Sequence, residues 1–133
     1  MFSKKIFSER FIKLRQTNNL NQSKIAEILG ISQAAISKIE KGERAVSIEV
    51  LCSLADYFDV PLDYLTGRGI FEHWEKLYEN REVVFLYLEK KYPSIKDLHL
   101  RELDESTLMQ LFSVFLQKVE VDDENQLILF PKI

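Results

Sequence analysis

Gln33, Ser37 and Lys41 follow one another at four-residue steps, with Ala34 and Lys38 beside them. On a helix this spacing puts all five on one side. That face is small, polar and basic, and carries no carboxylate except Glu43, just beyond its end. An amide can read a base edge, a lysine can meet a phosphate, and small residues allow close approach to a groove. The chemistry these residues suit is recognition of double-stranded DNA. A face that is merely solvated usually mixes acids with bases, and this one does not.

Catalysis finds no comparable foothold. His73 and His99 are the only histidines. Glu72, His73 and Glu75 are close in sequence, yet adjacent helical residues diverge, and one histidine with scattered acids makes a poor metal site. They suit the polar face of an amphipathic helix better. There is no Gly-rich phosphate loop and no metal-ligand spacing, so the sequence predicts no enzyme, no metal and no cofactor.

The DNA-facing side chains need a rigid platform, and the stretch Asn21–Gly42 supplies it. Ile25, Ala26, Ile28 and Leu29 form one apolar stripe, and Ile31, Ala35, Ile36 and Ile39 a second. Gly30 lies between them, where the first helix must end in a left-handed turn that glycine adopts without a side-chain clash. Ser32 is placed to cap the second helix and Asn21 the first. Two short helices joined so tightly make a helix-turn-helix.

The remaining elements follow from similar signals. A first helix is predicted from about Ser8 to Asn18, with Phe7, Phe11, Ile12 and Leu14 inward. Arg15 follows Phe11 by four and Glu40 follows Ile36 by four, so each charge lies near a core face. Either would be costly to bury alone, and the two could satisfy one another. Arg44, in the loop after Gly42, is offered to a neighbouring phosphate. Ser47 caps a fourth helix that buries Leu51, Leu54, Ala55 and Phe58, with Cys52 as a small buried residue beside them. Val60-Pro61 stops it, and Pro61 to Leu65 forms a fifth helix ended by Gly67. The domain boundary falls at Thr66–Gly69, giving a DNA-binding domain over 1–69 and a second region over 70–133.

In that second region Ile70, Trp74, Leu77, Arg81, Val84 and Leu88 alternate steps of four and three, and Phe71, Tyr78, Phe85 and Tyr92 repeat at sevens. The pattern predicts one long helix from Ile70 to Tyr92, closed by Pro93. Its aromatic stripe is read as core rather than as a ligand pocket. Residues 94–103 are a short helix or an extended link. Asp104 caps a helix through Val119 that is apolar on nearly every side, which calls for burial by more than one neighbour. Val119–Val121 and Leu127–Phe130 flank Asp122–Asn125 as a terminal β-hairpin. The fold class is therefore mostly α.

Composition bounds these readings. The apolar share of 46% is ordinary for a globular chain, and no apolar run approaches the roughly 18 residues that span a bilayer. Cys52 alone excludes an internal disulfide and fits a reducing compartment, so a cytoplasmic protein is expected. The net charge of −3 conceals an uneven distribution. Residues 1–44 hold nine Lys or Arg against four Glu, a net of +5. Residues 70–133 hold eight bases against thirteen acids, a net of −5. A basic head suits phosphate, and an acidic tail suits something else.

From Ser8 to Arg68 the chain resembles the five-helix DNA-binding domain of the lambda and 434 repressor and Cro (XRE-type) family. The resemblance rests on Arg15, Leu20-Asn21-Gln22, Ala26, Gly30-Ile31-Ser32, Ile36-Ser37, Ile39-Glu40 and Gly42. It implies that Arg15 and Glu40 form a structural ion pair and that Gln22 touches the DNA backbone; Lys41 and Arg44, by their own positions, are the further phosphate contacts expected. Ser32, Gln33, Ala34, Ser37 and Lys38 then form the base-reading surface. Ala34 departs from relatives that place a second glutamine there. Because one recognition helix reads only a few base pairs, the expected function is that of a repressor binding a palindromic operator as a homodimer, joined through 70–133. A different class stands beside it: an antitoxin-type protein whose tail binds a protein partner while the head regulates its own gene. No membrane partner is expected.

Overall fold

A computed structural model of the chain describes residues 3–132. It divides into two compact units, the first ending at Gly67 and the second beginning at Arg68.

The first unit holds five helices: α1 (Lys4–Thr17), α2 (Gln22–Leu29), α3 (Gln33–Glu40), α4 (Ile48–Phe58) and α5 (Leu62–Thr66). α1 begins four residues before the expected start, because the Ser3 hydroxyl accepts the Ile6 amide at 3.2 Å and caps the helix. The caps of the next three helices are those read from the sequence. Asn21 accepts from Lys24, Ser32 from Ala35 and Ser47 from Val50. Gly30 takes φ +68° at the end of α2. Gly67 is required twice over: its φ is +74°, and a Cβ there would lie 2.8 Å from the Ile6 side chain.

α1 packs on α3 and α5, and α2 on α3 and α4. Phe7, Phe11, Ile25, Ile36, Leu54 and Leu65 are all buried at their centre. Ile12, Leu14, Leu29 and Phe58 sit only half-buried at the margin. Cys52 corrects an expectation, for it is exposed. α4 turns Leu51, Leu54 and Ala55 inward, and Cys52 follows Leu51 by about 100° of helical rotation, which carries it into solvent.

The second unit departs further from expectation. In place of one helix from 70 to 92 there are a 3₁₀ turn (Gly69–His73), α6 (Trp74–Glu79) and α7 (Arg81–Lys91). The break falls at Asn80, whose side-chain Nδ2 donates to the Lys76 carbonyl at 2.8 Å alongside its own amide at 3.1 Å, closing α6 on itself. A straight helix over that span would run about 35 Å, too long for so small a unit to cover. Bending instead wraps Ile70, Phe71, Trp74, Leu77, Val84, Phe85 and Leu88 around a shared core. Arg81, expected in the stripe, lies outside and stacks over the Tyr78 ring at 4.5 Å.

Pro93–Leu98 and Leu100–Glu102 are 3₁₀ turns, burying Ile95 and Leu100. α8 (Glu105–Phe115) begins where Asp104 caps it, but ends four residues early. At Leu116 the chain becomes strand β1 (Leu116–Val121), antiparallel to β2 (Leu127–Pro131). The hairpin is therefore longer than read, because cross-strand pairing captures Leu116–Lys118 from the helix. α8 buries Leu108, Met109 and Phe112 but leaves Val114 63% exposed, so it is covered on one side rather than on all. Half of the aromatic stripe is core: Phe71 and Phe85 are buried, with Trp74 5.3 Å from Phe71 and 5.8 Å from Phe112 between ring centres, while Tyr78 and Tyr92 are half-buried.

The Asp104 carboxyl is held below the usual carboxylate range by the Thr107 side chain and then by its amide. A lowered folded value means that this cap stabilises above the ordinary carboxylate range and is lost as pH falls through the lowered value. Asp104→Asn should accordingly make acid unfolding of this unit less steep, measured by circular dichroism between neutral and strongly acidic pH.

Candidate nucleic-acid interface

α3 presents Gln33, Ala34 and Lys38 to solvent, with Ser37 half-exposed between them. Its buried face is Ala35, Ile36 and Ile39, so the polar side is held outward by packing rather than by its own bonds. Ser32 is exposed at the start of the helix. Its oxygen accepts the Ala35 amide at 3.0 Å, which leaves the hydroxyl hydrogen to donate elsewhere. Lys41 is exposed at the C-cap, and Arg44 is exposed in the loop beyond. Lys41 continues the four-residue spacing of Gln33 and Ser37 to the end of α3.

Arg15 and Glu40 meet in a forked ion pair. Arg15 Nε lies 2.7 Å from Glu40 Oε2, and Nη2 lies 3.0 Å from Oε1. The third guanidinium nitrogen, Nη1, donates to the Leu20 carbonyl at 2.9 Å. Such two-point geometry fixes direction as well as distance. It ties the end of α1, the turn before α2 and the last residue of α3.

Gln22 enters the same network. Its Nε2 donates to Glu40 Oε1 at 3.2 Å, so this half-buried side chain helps orient Glu40. One amide hydrogen and the amide oxygen remain to it beyond that bond. The expected phosphate residue is thus also part of the scaffold.

Two positioning residues were missed from sequence. Ser8 is buried, and its Oγ donates to the Ile39 carbonyl at 3.1 Å, which also accepts the Gly42 amide at 3.0 Å, so Ser8 ties α1 to the end of α3. Arg10 is only 2% exposed; it donates to the Tyr64 carbonyl and lies over the Tyr64 ring at 4.6 Å. For Arg10 the signal was available: it is three past Phe7, on the same inward side of α1 that drew attention to Arg15.

Among the described residues, no helix is long and apolar enough to cross a membrane.

The family model described as helix-turn-helix matches residues 11–65. The HTH-type transcriptional regulator YqaE of Bacillus subtilis (strain 168) is 32% identical over 85 residues, covering 61% of this chain and 73% of the relative. The HTH-type transcriptional regulator AnsR of the same organism is 38% identical over 60 residues, 45% of this chain and 52% of AnsR. A HTH-type transcriptional regulatory protein of Methanococcus maripaludis (strain C5) is 30% identical over 131 residues, 90% of this chain but 39% of that protein. The chain thus spans about half of one of these relatives and about two fifths of another.

Proposed function

The chain belongs to the helix-turn-helix transcriptional regulators, and from that premise we propose that it is a repressor that binds a palindromic operator as a homodimer in the cytoplasm. The observation that carries this reading is the exposed face of α3, small, polar and basic, on a helix anchored by Arg15, Glu40, Gln22 and Ser8. α3 enters the major groove. Gln33 reads a base edge with its amide, bidentate to adenine, and Ala34 lies against a thymine methyl. Ser32, Ser37 and Lys38 complete the base-facing surface. Gln22, Lys41 and Arg44 hold the flanking phosphates and set the register, aided by the amide-rich start of α2. One such patch covers only a few base pairs, so two copies on half-sites one helical turn apart supply the specificity.

Selecting bound sequences from random duplex DNA should yield an inverted repeat. Gln33→Ala should then lose about 1–3 kcal/mol at one position of each half-site while non-specific binding persists. Lys41→Gln and Arg44→Gln should instead weaken all sequences alike, each lowering the salt dependence by about one counterion. Uniform weakening by Gln33→Ala would remove it as a reader. Repression is tested by transcript levels beside the selected operator, which should rise when the protein is absent. A protein that co-purifies with residues 70–133 and prevents self-association would favour the antitoxin-type reading.

A further inference from the structure

The hairpin that ends the chain has one undefended edge. Only β1 pairs with β2 among the described residues. The Asp122 amide donates to the Gln126 carbonyl at 3.0 Å, which makes these two a hydrogen-bonded pair. Antiparallel alternation then turns the backbone groups of Ile128 and Phe130 toward β1, and those of Leu127 and Leu129 outward. Natural sheet edges are blunted by a charged residue, a proline or a bulge. β2 has no charge from Leu127 to Phe130, its proline comes last, and the bulge between Leu116 and Lys118 lies on β1. Ile128 is 38% exposed on the face away from the core.

We propose that this edge is the dimer interface: β2 pairs antiparallel with β2 of a second copy, about a two-fold axis through Ile128, to make one four-stranded sheet. The inference rests on the homodimer reading and names the surface responsible for it. A second copy is the occupant because the strand is complementary to itself. Centring on Ile128 sets Leu127 opposite the partner's Leu129 twice over, and both residues have outward N–H and C=O groups. The two pairs exchange about four hydrogen bonds. Centring on Leu129 would set Leu127 against proline, which cannot donate.

The same register brings Lys132 beside the acidic turn Asp122–Glu124 of the other copy, on both sides of the axis. Lys132 and the turn are exposed, and Lys132 Nζ spends one of its three hydrogens on the Ser113 carbonyl at 2.7 Å. The two Ile128 side chains meet on the axis as a non-hydrogen-bonded pair, the closer of the two kinds.

The test uses the full chain and analytical ultracentrifugation. Ile128→Lys and Ile128→Glu should each raise the dimer dissociation constant at least tenfold, since like charges then meet on the axis. An equimolar mixture of the two should restore it. Independently of folding losses in those variants, Cys52→Ser/Ile128→Cys should form a covalent dimer on mild oxidation, while Cys52→Ser/Glu120→Cys should not. A dimeric parent that stays dimeric in both charge variants and fails to cross-link through residue 128 overturns the interface and leaves the homodimer reading intact. A parent that is monomeric both free and on its operator overturns both.

Discussion

Glu40→Ala is expected to destabilise the N-terminal unit by about 3 kcal/mol. The side chains of Arg15 and Glu40 are 13% and 7% exposed, so neither charge has much water to fall back on. Removing the carboxylate strands the Arg15 guanidinium, whose remaining partner is the Leu20 carbonyl at 2.9 Å, and takes the acceptor from Gln22 Nε2. The cost is mainly that of the abandoned charge, not of the lost attraction. Arg15→Met/Glu40→Leu should therefore recover a large part of the loss, leaving the unpaired Leu20 carbonyl as its residual cost. Urea unfolding of the single and double variants checks this. A single variant as stable as the parent would show that the pair is adequately solvated. Specific DNA binding should fall in Glu40→Ala even where the unit stays folded, because α3 loses the fork that sets its direction against α1.

The second large effect is Trp74→Ala, expected to cost about 3–5 kcal/mol in the C-terminal unit. Trp74 is fully buried, packs on Phe71, Tyr78 and Phe112, and donates from Nε1 to Glu105 Oε2 at 2.9 Å. Truncation would leave a cavity among the rings and free the Glu105 carboxylate at the first turn of α8. A unit this small has little stability in reserve, so the variant should unfold near room temperature. Trp74→Phe keeps most of the volume and should lose less. Because Trp74 is the sole tryptophan, its fluorescence in the parent follows this unit alone. Amide exchange in Trp74→Ala should show α1–α5 still protected while α6–α8 exchange freely. Equal loss of protection in both would mean that the units do not fold independently. Self-association should disappear with the hairpin, and operator affinity with it.

These expectations rest on features of unequal legibility. Asn21, Gly30, Ser32 and Ser47 could be read directly because caps and left-handed turns are settled within three or four residues. Arg15 and Glu40 were legible for a less local reason: each sits at an apolar position of its own helix, and a charge there needs a partner. The same logic applied to Arg10 would have found its place beside Tyr64. Ser8 was harder, since a hydroxyl is tolerated almost anywhere and its Ile39 acceptor is thirty-one residues away.

Within the expected domain 1–69, short-range periodicity and capping were enough to place the helix-turn-helix and the basic face of α3, but not the start of α1 or the side on which Cys52 lies. Tertiary structure decided the rest. It turned Cys52 outward, broke the predicted long helix at Asn80 to enclose Trp74, and drew Leu116–Lys118 out of α8 into a strand. Apolar spacing states that a residue must be buried, but several geometries satisfy the same spacing. Which one forms depends on neighbours distant in sequence, and in the C-terminal unit those neighbours were chosen by packing and by cross-strand hydrogen bonds.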